Sequence, residues 1–235
     1  MANGIPTLWL LLVPALAASL LDPLSAQETV RPSPSAKPQE IPAHRIGILF
    51  GGTFESFDIT GPIEGAKTTK MAAHYEWDFG VRPFTKKTWE ERGLAWDRFF
   101  PVARQVADAV AGKLEPKLVR DHRGIVLYAI LTDEDPFLTS VILSPKLHER
   151  FKETLGDRIQ VLLLERNRVY LFPATGGRLA EFGPALVEEF GRSRFPVSLE
   201  IFLLDREGFR VVGELERPRT GPDPLEPLRK KTDVP

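Results

Sequence analysis

The chain has 235 residues, 31 basic and 32 acidic, four histidines and no cysteine. So even a balance lacks the broad positive field behind non-specific nucleic-acid binding. The missing cysteine excludes disulfides, thiolate catalysis and zinc sites built on cysteine.

Leu8–Leu21 is uncharged and almost wholly apolar, and Pro23 and the small pair Ser25-Ala26 follow it. A short apolar core ahead of small residues predicts a secretory signal peptide over 1–26, cleaved after Ala26. Pro14 interrupts the run, which is short for a bilayer span. An uncleaved anchor is the rival reading, because Met1–Thr7 has no Lys or Arg. The expected product is exported, periplasmic or secreted, and free of the membrane once cleaved. Residues 27–44 follow as a proline-rich linker, with Pro32, Pro34, Pro38 and Pro42 spacing it out.

One domain is expected over 45–217. Arg45–Phe50 predicts a buried strand, Gly51-Gly52 a turn, and His74–Phe84 a strand followed by a loop. Trp89, Trp96, Phe99, Ala103, Val106 and Val110 recur at helical steps and predict one helix over 88–114, with Pro101 a possible kink. Leu118–Arg120 and Ile125–Leu131 flank a turn at Asp121–Gly124. Phe137–Leu143 reads as strand or helix. Ser144-Pro145 predicts an N-cap with proline in the first turn, and Gly156 the end of that helix. Two further hairpins are expected, Ile159–Leu164 with Val169–Phe172 and Val197–Leu204 with Phe209–Leu215, and a helix over 178–190 lies between them. Hairpins alternating with helices predict an α+β domain: a mostly antiparallel sheet with helices on one face. Residues 218–235 continue as a charged, proline-rich tail that composition reads as disordered.

The stretch from Asp135 to Leu215 resembles the C-terminal part of the YtpQ-like bacterial proteins, a family of unknown function. The shared order is an acidic turn, Leu143-Ser144-Pro145, a helix, the hairpin around Glu165–Arg168, a second helix, Pro196–Leu199 and a last hairpin at Asp205–Phe209. The resemblance implies a fold and carries over no catalytic residue. Arg45–Ile59 is also similar to the opening of nucleotidyltransferases, which place a Gly-Gly-Thr-Phe turn before a His-x-Gly-His pair. Here Asp58-Ile59-Thr60-Gly61 stands in that place with no histidine, so the cationic help to phosphoryl transfer is missing and no ATP binding is expected.

His44, His74, His122 and His148 show no metal-binding spacing, and neither a metal nor a cofactor is expected. Asp133, Glu134 and Asp135 are candidates for a cation site or for acid–base work, against the plainer reading of a solvated turn before Pro136. Gly176, Gly177 and Arg178, ahead of a helix, could hold an anion on backbone N–H groups, against the plainer reading of a loop. Lys67, Lys70, Lys86 and Lys87 lie near Trp77 and Trp89, and a solvated face is the default for them. No nucleophile-elbow serine is present. The reading is an exported binding domain for an envelope protein or small-molecule ligand, with no nucleic-acid partner. The alternatives are an envelope hydrolase using acids near Asp133, and a structural partner in an envelope complex held by Tyr75–Trp89. Exposed aromatics in that segment would favour binding.

Overall fold

A computed structural model describes residues 45–216. The expected leader, linker and tail lie outside the described residues, as does Arg217 at the end of the expected domain. The α+β class and the antiparallel, hairpin-built sheet hold, with two sheets in place of one.

The smaller sheet is built on β3 (Thr69–Trp77), which pairs with β1 (Ile46–Gly52) on one side and with the short β2 (Thr60–Gly61) and β4 (Gly80–Pro83) on the other. Gly51-Gly52 is strand and not turn: both residues stay on the ladder, opposite Lys70 and Thr69. They are glycines because the Phe57 ring would meet a Cβ on Gly51 at 2.8 Å and the Phe54 ring would clash with one on Gly52. The nucleotidyltransferase-like turn is therefore filled by the chain's own rings.

The single helix expected over 88–114 is two, α1 (Lys86–Glu91) and α2 (Trp96–Lys113). Gly93, at φ +58°, ends the first, and the aromatic spacing bridges the break. Pro101 sits inside α2, which continues to Lys113. After β5 (Lys117–Arg120) and β6 (Val126–Thr132), the segment left between strand and helix is a 3-10 helix, Leu138–Leu143. α3 (Pro145–Leu155) starts as expected, with Ser144 Oγ accepting from the Lys146 N–H, and ends at Gly156, φ +94°.

β7 (Ile159–Glu165), β8 (Arg168–Pro173), β9 (Glu200–Asp205) and β10 (Gly208–Glu214) complete a six-stranded sheet ordered β10-β9-β7-β8-β6-β5, with α4 (Leu179–Arg192) between β8 and β9. Helices cover both faces of this sheet, not one. Val161, Leu163, Val169 and Leu171 join the main core with α2 and α3, while Leu162, Leu164, Tyr170 and Phe172 face Leu179 and Leu186 of α4. The central strands are apolar on both faces, so each face needs a cover.

An aromatic cluster and a buried carboxylate help tie the sheets together. The Phe50 ring meets Phe202 at 6.1 Å and Phe209 at 5.9 Å, both edge-on. The buried Glu200 carboxylate accepts the backbone N–H groups of Lys67, Thr68 and Thr69 at 2.6, 3.0 and 3.0 Å, which satisfies a charge that burial would otherwise penalise. Among the described residues no helix is long and apolar enough to cross a membrane.

Candidate functional site

The aromatic-rich segment is where the surface departs from what folding requires. β3 and β4 form a tight hairpin in which Trp77 pairs with Gly80, leaving Asp78 and Phe79 as the turn. Gly80, at φ +115°, supplies a backbone conformation that other residues resist. Phe79 is 81% exposed, more than any other large apolar side chain among the described residues. Its ring meets Trp77 edge-on at 4.9 Å, and the Arg82 guanidinium lies 3.6 Å from the Trp77 ring centre. The tip therefore groups a guanidinium and a phenyl ring around the Trp77 indole, with the Phe79 ring in solvent.

The base of this hairpin is braced. Glu76 accepts from Arg45 Nε at 2.9 Å, and the other two nitrogens of Arg45 donate to both oxygens of Asp135 at 2.8 and 2.9 Å. Burial lowers the Arg45 pKa, but the Asp135 and Glu76 carboxylates outweigh it and raise the value above the ordinary one. Arg45 also lies over the Phe137 ring at 4.9 Å. Lower down, Tyr75 packs on Phe84 at 5.0 Å, and Phe84 and Trp89 are core. The aromatic segment thus divides into a buried half that fixes the hairpin and an exposed half that projects from it.

The acidic run belongs to this brace. Asp133 Oδ1 accepts the Asp135 N–H at 2.7 Å, Glu134 is exposed, and Asp135 is held by Arg45 and by the Phe137 N–H at 2.9 Å. A bidentate arginine occupies the carboxylate that a cation or an acid–base mechanism would use. Among the described residues no group of three or more His, Asp or Glu side chains could hold a metal ion.

The glycine loop lies before α4. Gly176 has φ +67°, and a Cβ on Gly177 would clash with the Pro173 carbonyl, so both glycines answer to the backbone. Arg178 binds Glu181 through Nε at 2.8 Å, so a carboxylate already lies over the first turn of α4, where an anion would sit. Among the described residues no hydrogen bond or ion pair joins the acidic run to the glycine loop.

Of the histidines, His44 lies outside the described residues. His74 is buried and donates from Nδ1 to the Ala72 carbonyl at 3.0 Å; burial lowers its pKa to about 4, the Ala72 bond opposes this, and the nearby Arg166 charge adds to it. His122 is in an exposed turn and His148 is buried on α3. Two of the four lysines are engaged with groups of acidic residues: Lys70 Nζ donates to the Glu55 backbone carbonyl at 3.2 Å, and Lys87 pairs with Glu91 at 3.9 Å.

Phe79 and Arg82 lie in the candidate segment Tyr75–Trp89, but sequence reasoning singled out neither. The signal was present as Trp-Asp-Phe-Gly, a glycine turn with an aromatic inside it. No family model matches the chain, and no curated protein or solved structure matches it.

Proposed function

We propose that this chain is an exported, non-catalytic interaction domain that docks on an envelope protein through the β3–β4 tip. One observation carries the reading: Phe79 is 81% exposed on a turn whose neighbours hold it in place. An exposed aromatic contributes little to the stability of its own fold, whereas aromatic and arginine side chains dominate the energy of protein interfaces. Arg82 and Phe79, both packed on Trp77, lose little freedom on binding, which favours affinity. The complementary surface is an apolar pocket for Phe79 beside an acceptor for the outer N–H groups of Arg82. The hydrolase alternative draws no support from Asp135, whose two oxygens are bound by Arg45.

The test is photo-cross-linking in the native envelope, with a photoreactive residue at position 79 and a control at Val102, an exposed apolar position on α2. A discrete adduct from position 79 that is absent from position 102 supports the proposal. Equal or no adducts at the two positions would remove it.

A further inference from the structure

A second site lies away from the tip, around His148. Two cavities, of about 350 and 330 Å³, are both lined by this side chain and share the β9–β10 turn, Asp205–Glu207, as a wall. The larger falls at the lower end of the range for small-ligand pockets. His148 is only 5% exposed, yet it lines both.

The imidazole has a polar neighbour at each nitrogen. Nε2 lies 2.9 Å from the Asp157 carbonyl oxygen, which can only accept, so Nε2 carries the proton. Asp157 borders the smaller cavity and Glu149, 3.8 Å from Nδ1, borders the larger. The Nδ1 edge, beside Glu149, therefore turns toward the larger cavity, where a neutral imidazole presents an acceptor.

The charges around it sort into committed and free. Asp205 is held by Arg210 at 3.0 Å, Glu149 by Lys152 at 2.7 Å, and Ser144 Oγ donates to Asp108 at 2.5 Å. Arg104 and Arg206, both on the larger cavity, have guanidiniums with no hydrogen bond or ion pair among the described residues. The free acid on that wall is Glu207. The floor is apolar, formed by Phe100, Ile142 and Phe209.

We infer that the larger cavity binds a small carboxylate with an apolar body and a hydroxyl or amino group next to the carboxylate. Arg104 and Arg206 take the carboxylate, His148 Nδ1 accepts from the neighbouring O–H or N–H, and the apolar body lies on Phe100 and Phe209. Guanidinium is the side chain suited to planar, two-point recognition of a carboxylate. Ser144 gives its proton to Asp108 and not to His148, so the arrangement is one for binding and not for acyl transfer.

The probe is 2-hydroxy-4-methylpentanoate, titrated into the full chain while the His148 ring resonances are followed by NMR; 3-methylbutan-1-ol, which lacks the carboxylate, is the comparison. The expected result is a saturable His148 shift with the acid and none with the alcohol. Arg104→Gln and Arg206→Gln should each weaken binding about tenfold or more, the loss typical of a charged hydrogen bond. Arg123→Gln, in a turn outside both cavities, and Phe79→Ala should leave it unchanged. Both cavity arginines are exposed, and unchanged melting confirms that their variants fold. No His148 shift with the acid, an equal shift with the alcohol, or undiminished binding in the Arg104→Gln/Arg206→Gln double variant would each overturn the inference.

Discussion

The β7–β8 and β3–β4 hairpins are built from the same material and placed oppositely. In β7 and β8 the apolar residues between Ile159 and Phe172 are all buried, between the main core on one face and α4 on the other. In β3–β4 burial fades along the strand until Phe79 is almost fully in water. Burial of a large apolar side chain stabilises a fold by about 2 kcal/mol, and a ring left in water forgoes that contribution. An aromatic held in the open by a glycine turn, a cation stack and a salt-bridged base points to a surface shaped for something outside the chain.

The largest effect that would break this contrast belongs to the buried side. Phe202→Ala empties the junction where Phe50, Phe202 and Phe209 meet, and should cost about 3–5 kcal/mol in chemical denaturation. A loss below about 1 kcal/mol would mean the two sheets do not depend on that junction.

Acid should come next. The folded-state pKa of His74 is lowered to about 4 from an ordinary 6.5, so between those values the unfolded chain binds the extra proton. Stability from this group is complete above pH 6.5 and falls as pH drops toward 4, by up to about 3 kcal/mol. Denaturation midpoints of the wild type and His74→Phe across that window check this. The variant should lose the part of the slope that His74 supplies, and identical slopes would refute the assignment.

The brace should matter less. Asp135→Asn replaces a two-oxygen partner of Arg45 and should cost about 1–2 kcal/mol, because the pair is only partly buried. Its effect should be shared with Arg45→Gln, so that the double variant costs little more than either single one. Full additivity in that cycle would show that the two side chains do not act together.

What could be read from sequence was local. Alternating apolar residues and the turns at Asp121–Gly124, Glu165–Arg168 and Asp205–Gly208 mark the hairpins of the large sheet, and Ser144-Pro145 marks the start of α3. Each of these signals lies within a few residues of the feature it specifies. The misread elements depend on distant partners. Gly51-Gly52 looks like a turn until Phe54 and Phe57 are seen against it, and the break at Gly93 hides inside an aromatic spacing that continues across it. The role of Asp135 needed Arg45, 90 residues away in the chain. The cavities at His148 needed the β9–β10 turn to arrive beside α3. The acidic run and the glycine loop stand out by composition, and each meets neighbours that composition does not reveal.

The smallest expected effect is the most telling. Phe79→Ala, compared with the wild type by chemical denaturation, measures whether the exposed ring serves the fold. The expected change is within about 0.5 kcal/mol in either direction, as for a surface position outside the core. A loss above about 2 kcal/mol, the cost of a buried side chain, would place Phe79 among the residues that hold the domain together and contradict its assignment to a partner.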